Sequence, residues 1–368
     1  MNALAPPRAA ELLLGHEAAE RTLLEAWASG RFPSAWLICG PRGIGKATLA
    51  YRLARFILAG GGGVGQGDGL FGPAPTPETL AIPPDHPVFR RVAARGHADL
   101  EIVERGWSDD RQTKLRNEIV VEDARGVGAF LALTPAEGGW RIVIIDAADE
   151  MNRNAANAVL KVLEEPPRNA LLLLVAHSPG RLLPTIRSRC RRLTLRPLAE
   201  PLVEDLLGRA HPELAEADRR ALARLGEGSI GRALGLAAGG GLDLYREMVG
   251  LLAGLPRLDL PALHGFADRM ARPEAGELYA TVTELFGWWL ARLVRAGAAG
   301  PEPGGEVVAG EAAVMARLHA AAGLDQWLEV WEKISLLFAR AEAVYLDRKQ
   351  VVLGAFLTVE RLARRAAG

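Results

Sequence analysis

An apolar run from Ser34 to Cys39 ends on Gly40-Pro41-Arg42-Gly43-Ile44-Gly45-Lys46, and a helix-like stretch, Ala47 to Leu58, follows at once. Strand, glycine loop and helix in that order commit this part of the chain to an α/β unit. Glycines let the loop close its backbone N–H groups on phosphate oxygens, and the lysine adds a point charge. The plain alternative is a glycine-rich turn with a chance lysine, and the correctly placed strand and helix weigh against it. Gly40, Gly43, Gly45 and Lys46 are therefore candidate nucleotide-binding residues.

The pattern continues in the same style. Leu100 to Glu104 reads as a strand, and Val121, Ala124, Val127 and Leu131 recur at helical spacing. Ile142 to Ile145 is an unbroken β-branched run ending at Asp146, as a parallel strand covered on both faces requires. A helix follows, capped by Asn152 or Asn154, with Ala155, Ala158, Val159, Val162 and Leu163 on one face and Pro166-Pro167 as its stop. Leu171 to Val175 gives another buried strand. Strand–helix alternation to about residue 197 predicts a mainly parallel sheet.

Within that unit, 60–97 is rich in glycine and then proline, and it reads as a flexible, exposed insertion. Beyond 197 strands vanish. Short helices fill Leu202 to Leu236, and Gly239-Gly240-Gly241 reads as a hinge. Further on, Gly297 to Gly305 reads as a loop, and Trp327, Val330, Trp331, Ile334, Phe338 and Tyr345 form one helical stripe. The expected domains are 1–197 (α/β), 198–240 (a small helical lid) and 241–368 (all-α).

What the phosphate loop lacks is as informative as what it has. A Ser or Thr after the lysine presents its hydroxyl to Mg²⁺ in loops of this kind, and Ala47 offers no oxygen. Thr48 is one step further along the helix, rotated by roughly 100°, and is a weak substitute. Asp146 supplies a metal-side carboxylate, but Ala147 occupies the place of the water-polarising glutamate. Asp149 and Glu150 lie beyond it, and two solvated acids near a helix start is a better reading of them than a displaced base. ATP or ADP binding stays open, Mg²⁺ retention is not favoured, and hydrolysis is not expected.

Asn157-Ala158-Val159-Leu160-Lys161-Val162-Leu163-Glu164-Glu165-Pro166-Pro167, the later Ser188-Arg189-Cys190 and the Gly228-Ser229-Ile230-Gly231 segment resemble bacterial clamp-loader AAA+ subunits of DNA polymerase III. The likeness runs over roughly residues 15 to 236 and is weaker in the helical remainder. It implies an AAA+ P-loop domain, a helical lid and a C-terminal collar for oligomerisation. It also implies that Arg189, in the motif with Ser188 and Cys190, reaches the nucleotide of a neighbouring subunit. The alternative is that Arg189 belongs to a solvated cluster with Arg187, Arg191, Arg192 and Arg196. Working ATPases of the family carry polar groups where this chain has Ala47, Ala147, Ala176 and Gly231, and those absences resemble the delta-prime branch. The implied partners are the delta and tau/gamma subunits and the polymerase III holoenzyme, with primed DNA met through the complex. An active ATPase subunit is the competing reading, favoured by Lys46 and Asp146.

Many relatives carry a four-cysteine zinc module after the phosphate loop, but this chain has only Cys39 and Cys190, so no zinc or other metal site is expected. The same scarcity argues against a disulfide framework and fits a cytoplasmic protein. Formal net charge is +0, from 44 basic and 44 acidic residues, so no global field draws the chain to nucleic acid or membrane. No apolar run approaches the ~18 residues that span a bilayer.

Overall fold

The computed structural model describes residues 5–61, 77–108, 115–137, 139–272, 274–300 and 305–365. The chain divides into two compact units, one of residues 1–213 and 227–232, the other of 214–226 and 233–368. The stretch expected as a lid, 198–240, contributes to both.

The first unit is built on five parallel strands: β1 (Ala35–Cys39), β2 (Leu100–Val103), β3 (Arg141–Asp146), β4 (Ala170–Ala176) and β5 (Arg191–Thr194). They lie in the order β2-β3-β4-β1-β5, with Cys39 level with Ala176 and Asp146 level with Val175. The three central strands are apolar runs because both faces of the sheet are covered. On one face Trp36, Ile38, Ile142, Ile144, Leu171 and Leu173 pack with α1 (Glu17–Ala28) and α2 (Lys46–Leu58). On the other, Leu37, Cys39, Val143, Ile145, Leu172 and Leu174 pack with α5 (Gly126–Ala132) and α6 (Arg153–Glu164). This is the parallel α/β architecture expected of the AAA+ fold.

Several elements differ in detail from expectation. The stretch 120–131 is two helices, α4 (Val121–Ala124) and α5, joined at Arg125. Of the expected flexible insertion 60–97, residues 62–76 lie outside the described residues, but 77–97 is built into the core. It contains α3 (Pro87–Ala93), and Leu80, Val88, Phe89 and Val92 are buried. Glu20 on α1 accepts a hydrogen bond from the Leu80 N–H at 2.6 Å and one from the Thr79 hydroxyl at 2.9 Å, tying the segment down. Asn152 caps α6, accepting from the Ala155 N–H at 2.9 Å. The unit closes with α7 (Pro184–Arg187) and α8 (Glu200–Ala210).

The second unit is helical: α9 (Glu216–Gly226), α11 (Gly241–Ala253), α12 (Leu260–Asp268), α13 (Gly276–Ala299), α14 (Glu311–Ala321), α15 (Leu324–Val344) and α16 (Arg348–Arg365). Between α9 and α11, α10 (Ile230–Ala238) begins in the first unit and ends in the second. Gly240 turns the chain at φ +66°. The core gathers Phe266, Phe286 and Phe356, the last two with ring centroids 4.8 Å apart. Arg292 and Glu311 form a buried pair at 2.8 Å, joined by the Tyr245 hydroxyl. The expected stripe on α15 holds for Trp327, Val330 and Ile334, which are buried. It fails at Tyr345, which is 92% exposed because α15 ends at Val344 and Tyr345 turns left-handed at φ +54°. Helix α13 runs through Gly297 to Ala299, so the expected loop starts only at Gly300, and residues 301–304 lie outside the described residues. Among the described residues no helix is long and apolar enough to cross a membrane.

Candidate functional site

The end of β1 and the start of α2 hold Gly40–Lys46 in a tight loop, with φ of +146°, +71° and +108° at Gly40, Gly43 and Gly45. These left-handed values strain any side chain, which is why glycine stands at those places. The loop's carbonyls are engaged from outside. The Gly231 N–H donates to the Gly43 carbonyl at 2.9 Å, and the buried His16 places Nε2 2.6 Å from the Ile44 carbonyl. Among the described residues, the N–H groups of Arg42, Gly43, Ile44 and Gly45 meet no protein acceptor. Carbonyls turned away with amides left over make a nest for an anion, so a phosphate fits this loop.

Lys46 is buried, and its ammonium donates to the Pro41 carbonyl within the same loop. Burial pushes its pKa down to about 8, against the opposing pull of Asp146 and Asp149. Burial also pushes the Asp146 carboxyl up, and Lys46 partly offsets that. Arg42 reaches across to Glu150, which also accepts from Arg105 Nε at 2.9 Å.

Magnesium fits less well than phosphate. Ala47 and Ala147 carry no oxygen, and Thr48 stands one position further round α2. The two acids beyond Asp146 are not the solvated pair the sequence suggested. Asp149 is 7% exposed and accepts from the N–H groups of His177 at 2.9 Å and Ser178 at 2.8 Å. Glu150 is occupied by two arginines. Asp146 remains as a carboxylate beside the loop, without a hydroxyl at position 47 to share a metal with it.

Two neighbours of the loop revise the sequence reading. Ala176 faces the α6 side of the core and is fully buried, so the residue that turns toward the loop is the next one, His177. Burial and the positive charges of Lys46 and Arg42 hold its imidazole down at about 4, hence neutral. Its position directly after β4 was the available signal, missed by one step in a strand where each step changes face. Gly231 is pressed against the loop: a Cβ there would lie 2.8 Å from Gly43 Cα, a backbone atom. A side chain in that place would press on the loop's backbone.

Arg189 lies in the turn between α7 and β5. Its Nη2 is 2.8 Å from Glu164 Oε1, and its Nη1 donates to the Thr185 carbonyl at 3.0 Å. Ser188 Oγ donates to the same carbonyl at 3.1 Å. Cys190 packs against the core that contains Cys39, and burial pushes its thiol up to about 12, so it stays protonated.

Residues 83–199 match the family model described as DNA polymerase III, delta subunit. The DNA polymerase III delta-prime subunit of Pseudomonas aeruginosa is 35% identical over 156 residues, 42% of this chain and 41% of that protein. That of Bacillus subtilis is 30% identical over 179 residues, 48% of this chain and 46% of the relative. Over these residues the chain is similar to DNA polymerase III delta-prime subunits. It spans less than half the length of these two relatives. The tau subunit of Escherichia coli is 29% identical over 230 residues, 61% of this chain and 32% of tau. A gamma subunit-related protein from Thermotoga maritima superposes over 93% of this chain and 100% of its own at 20% identity, with a TM-score of 0.37. The chain's own strand order, β2-β3-β4-β1-β5, with the glycine loop directly after β1, is that expected of the AAA+ fold.

Proposed function

We propose that this chain is a non-hydrolysing delta-prime subunit of the DNA polymerase III clamp loader, helping load the sliding clamp onto primed DNA and lending Arg189 to the active site of a neighbouring ATPase subunit. One observation carries the reading. The phosphate loop has its anion nest and lysine, but the magnesium hydroxyl and the water-polarising acid are alanines, and the nearest other acids are tied to backbone and arginine. Phosphoryl transfer relies almost entirely on positioned charge, so a loop without these groups holds nucleotide without turning it over. ATP or ADP at Lys46 is thus part of the proposal, and magnesium is not. An arginine supplied in trans neutralises charge on the phosphoryl group in flight, an effect of order 10³ to 10⁵ in rate in other NTPases.

The competing reading, an active ATPase subunit, draws on Lys46, Asp146 and the likeness to tau. Turnover measurements separate the two. The isolated chain is expected to show no ATP hydrolysis above background, while Arg189→Ala assembles normally with its delta and tau/gamma partners and slows their hydrolysis at least tenfold at the site it faces. Hydrolysis by the isolated chain at about one per second, abolished by Lys46→Ala, would establish the ATPase reading instead.

A further inference from the structure

The Arg189 guanidinium is already held by its own chain along one edge. Nη2 is paired with Glu164 at 2.8 Å, and Nη1 donates to the Thr185 carbonyl at 3.0 Å. Glu164 is the last residue of α6, and Glu165 follows as its C-cap. A helix's carbonyl end carries negative partial charge and favours lysine or arginine, so two successive carboxylates there run against the local preference. Stability does not explain the choice. The Glu164 and Arg189 side chains are 50% and 35% exposed, and pairs of that exposure contribute little.

Orientation does explain it. The turn of α7 sets a carbonyl under one nitrogen while the end of α6 sets a carboxylate beside the other. These two contacts use only part of a guanidinium's donor set, so the remaining N–H groups keep a fixed direction. An arginine side chain is otherwise flexible, and ordering it during reaction slows the step it serves.

We propose that Glu164 is a positioning residue for Arg189, fixing the guanidinium so that its remaining donors meet the phosphoryl group on the adjacent subunit. The inference rests on the trans role given to Arg189 above. Because Glu164 acts on the arginine and not on the neighbour's nucleotide, its loss lowers kcat and leaves the KM for ATP in place.

The test uses the full chain reconstituted with its partner subunits, comparing Glu164→Gln, Glu164→Ala, Arg189→Ala and the double variant Glu164→Ala with Arg189→Ala. Both Glu164 variants are expected to lower kcat, Glu164→Ala by on the order of tenfold, with KM changed less than about twofold. The double variant is expected to turn over no more slowly than Arg189→Ala alone. If Glu164→Gln and Glu164→Ala leave kcat unchanged, or if the loss recurs in full in the Arg189→Ala background, the positioning role is overturned while the trans role stands. If Arg189→Ala itself leaves turnover unchanged, the trans role falls, and the positioning role with it. The isosteric Glu164→Gln carries the comparison should Glu164→Ala lower the melting temperature.

Discussion

The phosphate loop and the Arg189 turn sit on the same sheet, and they are finished to different standards. Around the loop, the nest, Lys46 and Asp146 remain, but the groups that would complete hydrolysis are diverted or absent. Asp149 serves two backbone N–H groups, Glu150 serves two arginines, and a side chain in place of Gly231 would press on the loop's backbone. At the turn, nothing is diverted: Arg189 is supported on one edge with donors to spare. A nucleotide site at a subunit boundary has two halves, a loop that grips and an arginine that reaches across. On the proposed reading, this chain keeps a loop that grips without turning nucleotide over, and keeps in full only the half it gives to a neighbour. Small apolar residues suit the buried positions 147 and 176.

The contrast breaks first at Asp149. If its task is to satisfy the end of β4 rather than to activate water, Asp149→Ala leaves two N–H groups without an acceptor in a buried place. The expected cost is about 3 kcal/mol of stability, seen as a lower urea midpoint of the first unit. An unchanged midpoint would mean that those N–H groups do not depend on Asp149, leaving its carboxylate available to a water near the loop. Gly231 comes next. Gly231→Ala drives a Cβ against Gly43 Cα, which cannot swing aside as a side chain would, and is expected to cost about 1–3 kcal/mol. A variant as stable as the parent would mean that α10 moves off the loop easily, reopening the place for a side chain.

The sheet was legible because its central strands are buried on both faces and spell themselves as apolar runs. At the edge that signal fails: in β5 only Leu193 is buried, so Arg191-Arg192-Leu193-Thr194 looks like surface. The 77–97 segment was misread for a related reason. Leu80, Val88 and Phe89 are scattered among prolines and charges, and composition averages over the few residues that anchor the chain. Tyr345 keeps the periodicity of α15 but not its helix, since the left-handed turn there has no glycine to announce it. At the site, Lys46 and Asp146 were legible because their spacing from the strands is fixed by the loop. The work of Asp149 was not, because its partners are backbone N–H groups 28 and 29 residues away. His177 was missed because counting residues does not reveal where a strand's pleat ends.

The smallest effect tests whether the loop still grips. Lys46 titrates at about 8, pushed down by burial. Below that pH the ammonium is charged and attracts a phosphate. As pH rises through about 8 the charge is lost, so the affinity of a magnesium-free nucleoside triphosphate should weaken, by at most tenfold per pH unit. His177, at about 4, is neutral throughout and adds no slope of its own. A bound phosphate raises the lysine's pKa again, so binding should take up a proton between pH 8 and 9, measurable as buffer-dependent heat in calorimetry. Affinity that stays level from pH 7 to 9.5 would mean that Lys46 does not meet the phosphate. The loop would then be a structural turn, and the contrast with Arg189 would sharpen into a site of which only the donated half remains.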